Sequence, residues 1–359
     1  MRRKSLLTLL VLGLILCLST GTGSTQTTTK VTLKVASALP TGLPVVDTIR
    51  FFAEKVNTAS DGNITVKLYE PGKLVPPFQI HDAVSTGQVN AGFTAGVYLS
   101  GKIPAASLFT TIPFGPNVIG YLAWFYEGNG LKLHQEMYDK FGYNIKSFPL
   151  YIASTESGGW FRKPINSLED IKGLRLRWPG LGGKVLSKLG ASVSTIPGAE
   201  IFPALEKGAI DGTEFGMPSL DTKVGLWKVA KYNYFPGWHQ TSTVLELIIN
   251  KKTWNGMSPS QQALVEIAVL AANARCIANG EALQGKAIKE NAEKHGVHNM
   301  YYPDEILKTL QRAWLEVVEE ETAKDQFFNK VWSDLSAFRA DYEVWECYSL
   351  QALPRPKCK

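Results

Sequence analysis

Residues 204–218 read ALEKGAIDGTEFGMP, and residues 83–96 read AVSTGQVNAGFTAG. Both run alanine, an apolar residue, two polar residues, glycine, a free position, a β-branched residue, then Asn or Asp, and both end among small residues. The physical content is a helix closed by a left-handed glycine, Gly87 or Gly208, that feeds a strand ending in small residues. The recurrence predicts two similar lobes presenting strand ends to a common crevice, and ligands of open α/β sheets bind beyond the carboxyl ends of the strands. The second copy also carries acids beside an aromatic: Asp211, Glu214 and Phe215. A carboxylate at a strand end in a mostly apolar domain needs a partner, because burying a bare charge is costly.

Outward from these stretches the chain alternates. Residues 31–39 (VTLKVASAL) read as a strand, 44–62 as an amphipathic helix stopped at Gly62, and 63–72 (NITVKLYEPG) as a strand with Ile64, Val66 and Leu68 on one face. Residues 77–87 read as a helix and 88–96 as a strand. In the second half, 173–180 (GLRLRWPG) reads as a strand ended by Pro179, followed by a helix over 182–191, a short strand over 192–198, a helix over 199–208 and a strand over 209–216. This order predicts an α/β fold with largely parallel sheets. Residues 243–254 (TVLELIINKKTW) read as a strand returning to the first lobe, and 258–296 and 303–353 as long helices, the first capped by Ser258 or Ser260. So much amphipathic helix needs a partner face: it clamps both lobes or pairs with a second chain.

The first 26 residues, MRRKSLLTLLVLGLILCLSTGTGSTQ, have the layout of a secretory signal peptide: a basic start, an apolar run over 6–18 and then small polar residues. The run falls short of the roughly 20 apolar residues a spanning helix needs, and no later stretch reads as a span. The mature chain is expected to start near Thr25 as an exported protein, an uncleaved anchor being the alternative. Leu16 before Cys17 argues against lipid attachment. Loss of Arg2, Arg3 and Lys4 takes the net charge from +6 to +3 (6 less 3), too mild and dispersed for nucleic acid. Cys276, Cys347 and Cys358 remain; Cys347 and Cys358 either close a small terminal loop or stay as thiols.

Enzyme signatures are missing. There is no GxGxxG after the first strand, no GxSxG and no HExxH, and PGLGGKV lacks the P-loop spacing. Without a nucleophile–base constellation, an enzyme reading has no support. His295 and His298 have ligand-like spacing but lie at a polar helix end, which favours a solvated surface. What remains is polar residues at the strand ends of the second lobe. Arg177, just before the break at Pro179, either grips a carboxylate with two parallel hydrogen bonds or makes a structural ion pair. Glu156 precedes two glycines, Glu214 precedes Phe215, and Gln240 follows PGWH. Carboxylates and amide oxygens are hard donors that suit Ca²⁺ or Na⁺ rather than Zn²⁺; a single Glu is more often a solvated surface group, so the metal reading needs all three together.

At these residues the chain resembles the substrate-binding proteins of TRAP transporters, the DctP family of extracytoplasmic solute receptors. The resemblance is carried by residues 69–92, 165–180 (INSLEDIKGLRLRWPG), 197–215 (PGAEIFPALEKGAIDGTEF) and 236–254, within about 31–270. Within the family it is most similar to the TakP-like 2-oxo-acid and lactate receptors. The resemblance implies a two-lobed periplasmic-binding-protein-like fold that closes on a small organic acid in the periplasm and hands it to a membrane permease. It implies a signal peptide over 1–25, a first lobe over 30–150 plus about 242–257, and a second over 151–241 plus C-terminal segments. Long helices over about 258–359 would span the lobes and form a homodimer. Arg177 would take the substrate carboxylate, with Glu156, Phe215, Tyr98 and Trp160 around the ligand and Trp238 as a further wall. Glu156, Glu214, the carbonyl of Phe215 and Gln240 would hold a bridging Ca²⁺ or Na⁺. The chain departs from the 2-oxo-acid group in having Glu156 for Gln, Gln240 for Glu and Phe215 for Trp, so two carboxylates still face the cation. A C4-dicarboxylate receptor and a secreted metal-dependent hydrolase using Glu156 or Glu214 as base are the alternatives.

Overall fold

The computed structural model describes residues 30–350, so residues 1–25 and Cys358 lie outside the described residues. Its strands are β1 (Val31–Ser37), β2 (Ile64–Tyr69), β3 (Ala91–Thr94), β4 (Ile145–Ala153), β5 (Gly159–Phe161), β6 (Arg175–Arg177), β7 (Ser192–Ser194), β8 (Gly212–Thr213), β9 (Tyr232–Phe235), β10 (Thr243–Asn250) and β11 (His298–Tyr301). They form two sheets, ordered β2-β1-β3-β10-β4 and β11-β9-β5-β8-β6-β7. The fold is two-lobed α/β, one sheet per lobe.

The paired stretches behave as their sequence implies. Gly87 (φ 81°) and Gly208 (φ 67°) end their helices in the left-handed region. The strands that follow, β3 and β8, lie parallel to β1 and β6. The second strand is shorter than the pattern over 209–216 predicts. The N–H groups of Ala209 and Ile210 turn back to the Ala204 carbonyl, leaving only Gly212–Thr213 in the ladder.

The expectation of largely parallel sheets is corrected: both are mixed. β10 runs antiparallel to β3 and β4, and β5 antiparallel to β8 and β9. The cause is the interlobe crossings. β3, β4, β6, β8 and β9 end at the crevice, whereas β5 and β10 receive chain that has just passed it and run away from it. Pro149, which cannot donate to a ladder, sits on the edge strand β4 at a register shift opposite Glu246.

The C-terminal helices take the clamping role. Ser258 caps Pro259–His295 in a capping box with Gln261. That helix packs on β4 and the helix Asp47–Ala59 of the first lobe, and on Pro218–Val224 of the second. By length and composition it would pass for a membrane span, contrary to the reading that no later stretch does. Its apolar face (Val265, Ala268, Val269, Ala272, Cys276) is buried in the first lobe's core. Asp304–Lys324 packs on Gly180–Lys188 in the second lobe, and Gln326–Leu350 returns to Val118–Tyr126 in the first.

One polar cluster inside the first lobe has no counterpart in the sequence pattern. Glu246 sits mid-β10, fully enclosed. His81 Nε2 lies 2.9 Å from its Oε1, the Tyr138 hydroxyl donates to the same oxygen at 2.7 Å, and His134 Nε2 lies 2.9 Å from Oε2. Burial opposes ionisation of Glu246, but His134 and His81 outweigh it and hold its pKa down at about 2. Breaking such a buried cluster by Glu246→Ala is expected to cost about 3–5 kcal/mol. A folded pKa of about 2 against 4.5 makes the contribution complete above about pH 4.5 and lost as pH falls towards 2. Urea unfolding should therefore show wild type losing about 3 kcal/mol more than Glu246→Gln between pH 5 and 2; parallel losses would contradict this.

Candidate functional site

β6 ends on Arg177 and the parallel β8 delivers Glu214 beside it, so the two side chains meet at the crevice. The Arg177 guanidinium donates through Nη1 to the Glu214 carboxylate and to the Glu214 carbonyl (3.2 Å), and through Nε to the Ile196 carbonyl (3.2 Å). Gln240 Nε2 donates to Glu214 Oε2 at 2.5 Å. The Thr243 hydroxyl lies 2.7 Å from Glu156 Oε1 and 2.9 Å from Gln240 Oε1, one proton shared between two acceptors. Glu156 Oε2 is buried with no partner.

Three short segments are laced together to make this cluster. The N–H of Glu156 donates to the Gln240 carbonyl (3.1 Å) and that of Ser157 to the Gly216 carbonyl (3.1 Å). Glycine permits the approach: a Cβ on Gly158 would lie 2.5 Å from the Pro236 carbonyl oxygen, and one on Gly237 2.2 Å from that of Glu156. Beneath them Asp221 Oδ2 accepts from the Ser157 hydroxyl and from the Trp160 indole, each at 2.7 Å. Burial pushes Asp221 up to about 8, only partly offset by those two bonds.

The electrostatics separate the two glutamates. Burial, and then the Glu214 charge, push Glu156 well above the usual carboxylate range, against the hydrogen bond from Thr243. For Glu214 burial acts the same way and is the largest single influence, but the Arg177 charge and His239 together outweigh it and hold the carboxyl below its usual value. His239 Nε2 stands 3.6 Å from Glu214 Oε2, beyond hydrogen-bond reach. Burial keeps the His239 ring below its ordinary pKa despite Glu214.

These groups border a cavity of about 60 Å³. Arg177, Glu156, Glu214 and Gln240 line it together with Tyr98 and Phe215, and aliphatic side chains of both lobes, such as Leu39, Val97 and Leu220, make the rest. Of the residues singled out in the sequence, Trp160 is placed elsewhere. It is wholly buried behind the site, packed with Ile201, Leu205 and Leu226, its indole committed to Asp221. Trp238 likewise packs against Trp178 and Phe114 instead of walling the cavity. Three polar neighbours escape the sequence pattern: Thr243, Asp221 and His239. A buried hydroxyl at the head of β10 and an acid in the first turn of Pro218–Val224 look like ordinary strand and helix-start residues until the chain is folded.

Glu156, Glu214 and His239 offer ligand atoms that all lie within 4.8 Å of one another. With Gln240 adding an amide oxygen, the set is dominated by hard oxygen donors, and the unpartnered Glu156 Oε2 is an acceptor free for a cation. The residues present fit a Ca²⁺ or Na⁺ ion.

Residues 35–325 match the family described as bacterial extracellular solute-binding protein, family 7, or DctP. The chain belongs to the DctP family. A relative from Nostoc sp., described as a monocarboxylate 2-oxoacid-binding periplasmic protein, is 35% identical over 334 residues, covering 93% of this chain and 91% of its own. The structure of a TRAP transporter solute-binding protein from Bordetella bronchiseptica, a mixed-occupancy dimer with copurified calcium and picolinate in one site, matches with a TM-score of 0.86 at 32% identity, covering 89% of this chain and 95% of that one. Another, from Pseudoalteromonas atlantica with bound sodium and pyruvate, matches with a TM-score of 0.86 at 33% identity, covering 90% and 98%. This DctP protein is therefore a TRAP-type extracytoplasmic solute receptor.

Gly237→Ala tests the lacing of the site. The added methyl displaces the Glu156 carbonyl, so the melting temperature of the unliganded protein should fall; an unchanged melting temperature would contradict the packing described.

Proposed function

We propose that this receptor binds a small 2-oxo or 2-hydroxy monocarboxylate between its lobes, through Arg177 and a bridging Ca²⁺ or Na⁺, and delivers it to a TRAP membrane permease. The observation that carries the proposal is the buried cluster of one guanidinium and two carboxylates at the edge of a small, mostly apolar cavity. With its Nε and Nη1 engaged by Ile196 and Glu214, Arg177 meets a ligand carboxylate through Nη2. Glu156, Glu214, the amide oxygen of Gln240 and the Phe215 carbonyl would hold the cation, which supplies positive charge to one substrate carboxylate oxygen and the adjacent 2-oxygen.

Charge counting favours a monocarboxylate. Arg177 contributes one positive charge against two negatives from Glu156 and Glu214. A monocarboxylate adds one more negative, and Ca²⁺ brings the sum to zero. With Na⁺ the sum closes when Glu156 retains a proton, the direction in which its burial drives it. A C4-dicarboxylate adds an uncompensated charge and lacks a second guanidinium where Glu156 stands. The apolar lining then meets the short tail of the acid, with Tyr98 and Phe215 closing either side.

The same reading makes the protein an exported receptor and not an enzyme, since the cluster polarises and orients a ligand without presenting a nucleophile to it. A second copy of the chain would cover Val344, Trp345 and Tyr348, exposed at 60%, 65% and 80% on the last helix; light scattering should give twice the chain mass, and Trp345→Glu should give the monomer.

Thermal shifts test the ligand class, because a ligand bound to the folded state raises stability by mass action. Pyruvate, lactate and branched 2-oxo acids should stabilise the protein with Ca²⁺ or Na⁺ and fail to do so for Arg177→Ala and Glu214→Ala. Stabilisation by succinate alone, indifferent to chelator and Na⁺, would overturn the proposal.

A further inference from the structure

We propose that Gly180 is the closure stop of this receptor: the missing side chain lets the start of the helix Gly180–Lys188 seat against Val97 across the crevice, and closure over a ligand depends on that contact. Gly180 lies in the second lobe, three residues beyond Arg177 and directly after Pro179, which lines the cavity. Val97 lies in the first lobe, three residues beyond the end of β3, and lines the same cavity. A Cβ on Gly180 would fall 2.5 Å from Val97 Cγ2, an approach real side chains do not make.

The backbone on both sides of the contact is held in place. The Val97 N–H is tied to the Thr110 hydroxyl at 2.9 Å, and its β-branched side chain is stiff about its first torsion. On the other side Trp178 is buried, and its N–H is held by the Ser194 carbonyl at 3.0 Å. Gly180 also has φ +68°, a conformation side chains disfavour, but that cost exists with the lobes open or closed. The clash exists only when they are closed, because the colliding atoms belong to opposite lobes. A side chain at 180 therefore shifts the population towards the open form and lowers affinity in proportion, without touching ligand or cation. Gly142 supplies the control, with φ +76° and nothing within 4 Å of its Cβ position.

The ligand arm of this inference rests on the proposed function; the contact itself does not. Calorimetric titration of pyruvate in the presence of Ca²⁺ should give at least a tenfold weaker affinity for Gly180→Val, and an affinity within twofold of wild type for Gly142→Ala. Equal affinities for the two variants would overturn the proposal. The second arm uses the 3.9 Å between the Gly180 Cβ position and Val97 Cβ, inside the range of about 3.5–4.5 Å that disulfides span. In the double variant Val97→Cys/Gly180→Cys, oxidised glutathione should convert the two thiols to a cross-link, itself being reduced to two glutathione thiols. Peptide mapping should find residues 97 and 180 joined, and the cross-link should block pyruvate exchange until dithiothreitol reverses it. Absence of the cross-link would overturn the contact. Failure of the wild type to bind any acid tested would instead defeat the receptor reading, while the cross-link would still decide whether the lobes meet at Gly180.

Discussion

A guanidinium and a carboxylate, Arg177 and Glu214, meet at the bottom of the crevice with 3% and 1% of their side chains exposed. Taking both out of water is expensive, and packed apolar residues of equal volume often serve stability as well or better. The surroundings show what the pair demands. Two main-chain carbonyls and the Gln240 amide complete its hydrogen bonds, and they come from the turn after β7, the end of β8 and the crossing into β10. The same crossings bring in Glu156, a second carboxylate that the single guanidinium cannot neutralise. Burial and the Glu214 charge hold Glu156 towards its protonated form, and one of its oxygens is buried without a partner; on the proposed function, a cation arriving with the acid takes that proton's place.

That constraint reaches into the topology. Arg177 and Glu214 must stand side by side at strand ends, which parallel β6 and β8 provide. Glu156 and Gln240 must reach them from the two chain crossings, which β4, β5, β9 and β10 provide. The crossings make both sheets mixed, and the long C-terminal helices, each seated on one or both lobes, leave the crevice as the surface where the lobes meet. Closure is then limited by backbone bulk at its edge, where Gly180 faces Val97.

Much of this was legible in the sequence, and the failures have physical causes. The helix–glycine–strand repeat shows in composition because left-handed closure needs glycine, so Gly87 and Gly208 mark both lobes. Arg177, Glu156, Glu214 and Gln240 stand out because charged or amide groups sit at the ends of apolar strands; the structure brings all four to one cavity. Strand direction was not legible, since alternation records which face is buried and not which way the chain runs. Trp160 was misplaced because aromatic character beside a site does not distinguish a wall from a support. Asp221, Thr243 and the cluster of Glu246 with His81 and His134 were missed because their partners lie 61–165 residues away.

The central claim is that cation and acid occupy the Arg177–Glu214–Glu156 cluster together. Titration of pyruvate into chelator-treated protein, followed by the same titration with Ca²⁺ restored, tests it most directly. The account predicts heat of binding at one site per chain only in the presence of the cation. Binding of equal affinity in the cation-free protein would contradict it.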